Sequence, residues 1–365
     1  MATFPDTSYL RWARQFIDPA RINLAASGIP RMPPGLIEFD WSRVDAASWA
    51  AEIVASLTEA IALRYRVAES KVMITHGTSH ANFIAGLALH DPDRRVAVEH
   101  PHYQPLLALA SYLDGEPILL HRDEQAGWSL PPEEVKAALE AGADLIILSS
   151  PHNPTGHTFS PEELEELGEL CARFDAYLLL DEVYLEFDFA HFMGSQALAH
   201  PRIVATASLT KFAGLAAIRT GWAIGPEAKI AEMKRALDLT TGNLNYLGMQ
   251  VARQAFDHLD QLLAYAAEVS SPEKRRLVSD LVDESPYLSW QEPRLGLVGF
   301  MRLSHPELSA DELAEELVRR SGVVVVPGRF FGSPEHLRIS WVAPPEELRA
   351  GLTELRNFLS RAARA

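Results

Sequence analysis

The sequence is poor in the features that mark secreted and membrane proteins. Its 365 residues include one cysteine, Cys171, which excludes an internal disulfide and suits a reducing compartment. No apolar run approaches the roughly 18 residues that a membrane-spanning helix needs. Residues 1–18 lack the charged start and apolar core of a signal peptide. The sequence therefore predicts a soluble cytoplasmic protein.

Basic residues are also scarce. The chain has 33 Lys and Arg against 49 Asp and Glu, a formal net charge of −16. No basic face is large enough to neutralise nucleic-acid phosphates or anionic lipid headgroups, so neither partner is expected. Neither CxxC nor HExxH occurs, and we expect no metal site.

The apolar residues are arranged as in an α/β protein. Between about residues 50 and 270, short apolar runs alternate with amphipathic stretches, and several runs are continuous, as in strands buried on both faces. This pattern predicts a doubly wound, mostly parallel sheet. The predicted strands are Val72–Thr75, Arg95–Glu99, Pro117–His121, Asp144–Ser149, Tyr177–Asp181, Ile203–Ala207 and Gly221–Ile224.

After about residue 275 the pattern changes to that of a smaller α+β lobe, and 365 residues exceed what one core usually spans. We expect a large domain at 45–275 and a small domain formed by 1–44 with 276–365. Capping boxes at Ser160 and Ser309 predict helix starts, and Gly322 predicts a helix end. The small-domain elements are predicted as Lys274–Val282, Val298–Leu303, Glu312–Ser321, Val323–Val326, Leu337–Trp341 and Glu346–Arg361.

Polar residues follow several of the predicted strands. Gly77, Thr78 and Ser79 open a helix, whose N-terminal N–H groups could bind a dianion. Asn153 stands between prolines that would fix its amide. Asp181 ends a leucine-rich strand, where a buried carboxylate needs a cation such as a protonated pyridine nitrogen. Each stretch alone also fits an ordinary turn or helix cap.

Lys211 follows the strand at Ile203–Ala207, with Ser208 three residues before it and Arg219 eight residues after it. An amine on a rigid element among anion-binding groups suits a nucleophile that traps a phosphorylated carbonyl cofactor. Arg338 could bind a substrate carboxylate through two parallel hydrogen bonds, although a single arginine more often forms a surface ion pair.

Taken together, these motifs resemble those of the fold-type I pyridoxal-phosphate aminotransferases of class I and II. The resemblance rests on Asn-Pro-Thr-Gly at Asn153, Asp-x-x-Tyr at Asp181 and Ser-x-x-Lys at Ser208, with Arg219 eight residues after Lys211. It runs over most of the chain. It implies the fold of that family, with pyridoxal 5'-phosphate as the cofactor.

The resemblance also implies a role for each residue. Lys211 would form a Schiff base with the cofactor, Asp181 would pair with the pyridine nitrogen, and Tyr184 would act beside them. Asn153 and Tyr184 would hydrogen-bond the ring oxygen. The other implied residues are Gly77, Thr78, Ser79, Ser208 and Arg219 around the phosphate, Tyr103 on the ring face, and Gly28, Asn153 and Arg338 around the substrate.

The activity implied is transfer of an amino group from an L-amino acid to a 2-oxo acid by a ping-pong mechanism, in a homodimer. Decarboxylases, β-lyases and synthases share these motifs, because the bond perpendicular to the ring is the one cleaved. A cofactor-sensing regulator would need a DNA-binding segment, and none is visible before residue 20 or after Arg361.

Two departures from the family pattern bear on the site. The segment Trp41–Ala55 has no Tyr-x-x-x-Gly, so no phosphate ligand from a second subunit is predicted. The segment Leu239–Tyr246 has no Lys or Arg, which disfavours a dicarboxylate substrate such as aspartate.

Overall fold

A central sheet organises the protein in the computed structural model, which describes residues 4–17, 19–47 and 51–362. Residues 1–3, 18, 48–50 and 363–365, which fall in the two predicted domains and partly in Trp41–Ala55, lie outside the described residues. In chain order the strands are β1 (Ile22–Asn23), β2 (Val72–Thr75), β3 (Arg95–His100), β4 (Ile118–His121), β5 (Ala143–Ser149), β6 (Tyr177–Asp181), β7 (Ile203–Ser208), β8 (Gly221–Ile224), β9 (Leu288–Trp290), β10 (Val298–Leu303), β11 (Val323–Val324), β12 (Val326–Pro327) and β13 (His336–Ser340).

Helices cover both faces of this sheet and complete a second lobe. They are α1 (Ser8–Phe16), α2 (Ala51–Tyr65), α3 (Thr78–Leu89), α4 (Gln104–Asp114), α5 (Pro132–Glu140), α6 (Pro161–Arg173), α7 (Glu227–Thr240), α8 (Tyr246–Asp257), α9 (Leu259–Val269), α10 (Pro272–Glu284), α11 (Ala310–Ser321) and α12 (Pro345–Ala362). Within the described residues, no helix is long and apolar enough to cross a membrane.

The large sheet has the strand order β2-β8-β7-β6-β5-β3-β4. Strands β3 to β7 run parallel to one another, and β8 is antiparallel to both β7 and β2. Every residue of β5 and β7 is buried, because helices pack on each face. The predicted doubly wound α/β fold is therefore confirmed.

The smaller lobe has an antiparallel sheet in the order β12-β13-β10-β9. Helices α10, α11 and α12 pack on it around a shared apolar core, which also takes in Ile22 and Leu24 from the N-terminal segment. The domain limits predicted above stay a prediction.

Most predicted elements agree with the structure to within one or two residues. The bounds of β2, β6, β8 and β10 are as predicted, both capping boxes form, and Gly322 ends α11 with a φ of 64°. Helix α1 and strand β9 were not predicted.

The prediction of one strand at Val323–Val326 was wrong. Residues 323 and 324 pair with β1, whereas Val326 pairs with Arg338 of β13 in a different sheet. A run of valines indicates burial and extended backbone, but it cannot show that the pairing partner changes at Val325.

Candidate active site

The site lies at the carboxyl edge of the large sheet, where three parallel strands end side by side. Strand β5 ends at Ser149, β6 at Asp181 and β7 at Ser208. Ser149 is paired with Asp181, and Asp181 with Thr206, so the loops after these strands begin next to one another. Open α/β sheets bind ligands at this edge.

Lys211 follows β7, and its amine meets the N-terminal segment. The Nζ atom donates a hydrogen bond to Ser27 Oγ at 2.9 Å. A Cβ atom on Gly28 would lie 3.5 Å from both Cα and Cδ of Lys211, an ordinary van der Waals distance that places this residue directly beside the lysine. Burial and, to a smaller extent, the positive charge of Arg338 lower the pKa of Lys211 to about 8, and Asp181 opposes the change. A substantial fraction of the amine is thus neutral near pH 8, as a nucleophile or general base requires.

Asp181 is a buried carboxylate with neutral hydrogen-bond donors. Its Oδ2 atom accepts from Asn82 Nδ2 at 2.9 Å, and Oδ1 accepts from the N–H of Val183 at 3.1 Å. Burial raises the pKa of Asp181, and these two contacts and Lys211 oppose that increase. A cationic ligand atom beside the carboxylate would favour its ionised form.

Tyr184 and Asn153 are held by contacts with other elements. The Tyr184 hydroxyl donates to the carbonyl of Ser27 at 2.8 Å, and burial raises the pKa of Tyr184 so that it stays protonated. Asn153 Oδ1 accepts from Arg338 Nη1 at 3.0 Å. That contact orients the side-chain amide and leaves its NH2 group as a donor.

An anion-binding cradle forms where α3 begins. Gly77 precedes the helix with a φ of 88°, and a Cβ atom there would lie 2.6 Å from Nη2 of Arg219. Thr78 Oγ1 donates to Ser208 Oγ at 2.8 Å, which joins the helix start to the end of β7. A helix N-terminus, two hydroxyls and a guanidinium together suit a phosphate group.

Tyr103 and Ser79 lie at the margin of this cradle. Tyr103 is partly buried, and its ring makes an edge contact with Tyr9 at a centroid distance of 6.0 Å. Ser79 is exposed in the first turn of α3. An apolar cavity of about 200 Å³ is bordered by Ser79, Asn82 and Tyr103.

Arg338 brings the smaller lobe into the site. It is fully buried in β13, and Nη2 donates at 3.0 Å both to Tyr9 Oη and to the carbonyl of Ala25. The Nε atom has no hydrogen-bond partner in the described part of the chain. A buried guanidinium that meets only neutral acceptors is costly unless an anion binds it.

The structure thus brings together three charged groups that form no ion pair among residues 4–17, 19–47 and 51–362: Lys211, Asp181 and Arg338. A ligand with a phosphate, a carboxylate and a protonated ring nitrogen would complement the cradle and two of these groups. The residues present therefore fit pyridoxal phosphate with an amino acid. Across the same ranges, no group of three or more His, Cys, Asp or Glu is placed to hold a metal ion.

Three residues that contact the predicted site were missed by sequence reasoning: Tyr9, Ser27 and Asn82. Ser27 stands next to Gly28, which was predicted, so adjacency could have drawn attention to it. Asn82 lies one helical turn after Thr78, which places both near the start of α3. No local pattern indicates Tyr9, because α1 itself was not predicted.

Comparison with known proteins identifies the family. The sequence model of the family described as "Aminotransferase class I and II" matches residues 48–355. The chain belongs to this family. It is a pyridoxal-phosphate-dependent enzyme of fold type I, and the predictions of family, enzyme class and cofactor are confirmed. The individual residue roles stay predictions.

Within the aminotransferase family, the chain is similar to proteins that are named for different activities. Capreomycidine synthase of Streptomyces vinaceus is 31% identical over 315 residues, covering 84% of this chain and 79% of the relative. An aspartate aminotransferase of Streptomyces avermitilis is 26% identical over 312 residues, covering 82% and 76%. The solved structure of the PLP-dependent cyclase OrfR has a TM-score of 0.81 and 26% identity, covering 99% of this chain and 98% of that one.

Proposed function

We propose that this enzyme transfers the amino group of an L-amino acid to a 2-oxo acid by a ping-pong mechanism centred on Lys211. The observation that carries the proposal is the presence of two cationic groups of different character, the half-buried Lys211 and the fully buried Arg338. The pKa of the Lys211 amine is lowered to about 8, whereas the Arg338 guanidinium meets only neutral acceptors. The Lys211 amine suits proton transfer and nucleophilic attack, and the Arg338 guanidinium suits binding of a substrate carboxylate.

Pyridoxal phosphate, when bound, supplies an aldehyde that condenses with amines and a ring that takes up the electron pair of a bond broken at Cα. We propose that Lys211 carries it, with Asp181 at the ring nitrogen, Asn153 and Tyr184 at the ring oxygen, and Tyr103 on the ring face. The proposed phosphate ligands are Gly77, Thr78, Ser79, Ser208 and Arg219.

Substrate orientation would come from Arg338. Its unpaired Nε and its Nη groups can bind the α-carboxylate with two parallel hydrogen bonds. Asn153 Oδ1 already accepts from Nη1, and Gly28 lies directly beside Lys211. An amino acid held in this way has its Cα in a fixed position relative to Lys211, which is the contribution of orientation to rate.

Proton transfer would belong to the Lys211 amine. At pH values near its pKa of about 8, the neutral amine would accept a proton from the substrate Cα, and the ammonium form would then donate it to C4′, the aldehyde carbon of the cofactor. Ser27 Oγ, 2.9 Å from Nζ, would hold the amine in position between these two steps. The same lysine would serve both half-reactions.

The donor that we propose has an uncharged side chain. Residues 239–246 contain no Lys or Arg that could bind a second carboxylate, although one relative is an aspartate aminotransferase. We further propose that the enzyme works as a cytoplasmic homodimer, as implied by the resemblance described above.

A second candidate function is a cyclase or another synthase reaction of the same fold. It is favoured by one observation, the similarity to capreomycidine synthase and to the cyclase OrfR. Such a reaction would use the same lysine as a base and the same carboxylate-binding arginine, but it would need no 2-oxo acid.

A substrate panel separates the two candidates. Purified enzyme with pyridoxal phosphate is incubated with alanine, glutamate, phenylalanine or leucine, and with arginine derivatives, each with and without 2-oxoglutarate. Transamination gives more than one equivalent of oxo acid per enzyme, together with glutamate, only when both substrates are present; for the glutamate donor, the acceptor is pyruvate. Repeated turnover of the amino acid alone, beyond the single equivalent that the first half-reaction releases, would overturn transamination in favour of the second candidate. The Lys211→Ala variant should be inactive with every pair, and borohydride trapping of the cofactor on a different lysine would refute the site.

A further inference from the structure

Asn82 connects Asp181 to the interior of the sheet. It lies on α3, it is 5% exposed, and its Nδ2 atom donates to Asp181 Oδ2 at 2.9 Å. On its other side, the Oδ1 atom of Asn82 accepts from the hydroxyl of Thr206, which is fully buried in β7. Three elements, α3, β6 and β7, thus contribute to one polar chain. Its two strand residues are neighbours, since Asp181 pairs with Thr206 in the sheet.

The charge of Asp181 determines which groups donate and which accept in the hydrogen bonds that join it to Asn82 and Thr206. An ionised carboxylate accepts hydrogen bonds only, so Asn82 must present its NH2 group to it. The amide oxygen then faces Thr206, whose hydroxyl can donate. The opposite arrangement would place the amide oxygen against the carboxylate and would require a protonated Asp181. The contact with Thr206 stabilises the orientation of Asn82 that matches an ionised carboxylate, because the hydroxyl donates to the amide oxygen.

Few other groups favour that ionised form. Burial raises the pKa of Asp181, and the N–H of Val183 and the positive charge of Lys211 act against burial together with Asn82. The pKa values of the other titratable neighbours, Tyr103, Tyr184 and Glu182, are raised by burial and to a smaller extent by Asp181, and none of these groups can supply a positive charge. A hydrogen bond to a charged group is worth about twice a neutral one, so the contribution of Asn82 is substantial.

We propose that Asn82 and Thr206 are positioning residues that hold Asp181 ionised and oriented toward the ring nitrogen of the cofactor. The inference rests on the proposed role of Asp181 and extends it to two residues that never touch the ring. Asn82 acts through Asp181, and Thr206 acts through Asn82.

The hydrogen-bonded series from Thr206 through Asn82 to Asp181 is called the relay below. Measurements of cofactor binding test the relay independently of turnover. The apoenzyme is titrated with pyridoxal phosphate and with its 1-deaza analogue, in which CH replaces the ring nitrogen, and dissociation constants are measured from absorbance. Asn82→Leu, which keeps the volume and removes the polar groups, should weaken pyridoxal phosphate about 10- to 100-fold and the analogue far less. Thr206→Val should weaken pyridoxal phosphate about 5-fold, and Thr206→Ser should restore it.

Asp181→Ala is the reference for this comparison. Among the variants, Asp181→Ala should show the largest loss of preference for pyridoxal phosphate over the 1-deaza analogue. It removes the negative charge that interacts with the ring nitrogen, which the analogue lacks. Equal weakening of both ligands by Asp181→Ala would overturn the proposed cofactor placement. A clear discrimination by Asp181→Ala with none by Asn82→Leu and Thr206→Val would overturn the relay alone.

A matched control separates the relay from general loss of packing. Ser321 is buried in α11, and its hydroxyl donates to the carbonyl of Leu317 at 2.7 Å, in the smaller lobe. Ser321→Ala removes a buried hydroxyl as Thr206→Val does, but it should leave both dissociation constants unchanged. If Asn82→Leu fails to fold, the Thr206 pair still decides the question, since valine and serine differ from threonine by one group each.

Discussion

Replacement of Arg338 offers a direct test of how this enzyme recognises its substrate. Leucine at this position would remove the guanidinium and leave Asn153 Oδ1, Tyr9 Oη and the Ala25 carbonyl without their donor. Loss of one partner from a buried, hydrogen-bonded charge pair costs about 2–5 kcal/mol. We therefore expect kcat/KM for the amino donor to fall roughly 30- to 4000-fold, since about 1.4 kcal/mol corresponds to a factor of ten.

The assay compares donors with and without an α-carboxylate. Arg338→Leu should lose most of its kcat/KM for an L-amino acid but little for the matching amine, which has no carboxylate to bind. Arg338→Lys keeps the charge but not the two parallel hydrogen bonds, so an intermediate loss is expected. An equal loss for both donors, with an unchanged cofactor spectrum, would show that Arg338 supports the fold and does not recognise the carboxylate.

Three further predictions concern titration and stability. The labelling of Lys211 by trinitrobenzenesulfonate in the apoenzyme should have a pH midpoint near 8. Ser27→Ala should lower this midpoint by roughly 1 unit, because Ser27 Oγ accepts a hydrogen bond from Nζ and so favours the ammonium form. An unchanged midpoint would contradict that contact. Burial raises the pKa of Glu182 from 4.5 to about 8, so its stabilising contribution is full at low pH and is lost as the pH rises through about 8. The difference in melting temperature between Glu182→Gln and the parent should therefore increase in favour of the variant as the pH rises from 4.5 to about 8. A difference that does not change with pH would refute the raised pKa of Glu182. Arg122→Met should lower the free energy of unfolding, measured by urea denaturation, by about 3–5 kcal/mol, because it leaves Glu99 buried without the guanidinium whose Nε and Nη2 both donate to its Oε2 atom. Adding Glu99→Leu should recover much of the loss, and no recovery would argue against the pair.

The sequence was sufficient to predict the large sheet and the strand ends that form the site. Apolar runs such as Tyr177–Asp181 indicate buried strands, and a polar residue at the end of such a run stands out because burying it is costly. Asp181 and Lys211 were found in this way. Their roles were then implied by the resemblance to a family, which local patterns alone could not provide.

Contacts between distant parts of the chain could not be predicted. Ser27 and Lys211 are 184 residues apart, and Asn82 and Asp181 are 99 apart. Such pairs depend on how the N-terminal segment and α3 pack on the sheet, and no periodicity encodes that packing. The same limit explains the error at Val323–Val326, where neighbouring valines pair with strands of two different sheets.

The N-terminal segment that precedes the family match contributes directly to the candidate site. Ser27 and Gly28 lie beside Lys211, Tyr9 contacts Arg338, and all three precede residue 48, where the match begins. The large sheet and the cradle lie within the matched range, whereas this short leading segment lies outside it. Exchange of residues 4–30 with those of a relative would therefore alter which bond is broken or which donor is accepted, while cofactor affinity stayed close to that of the parent.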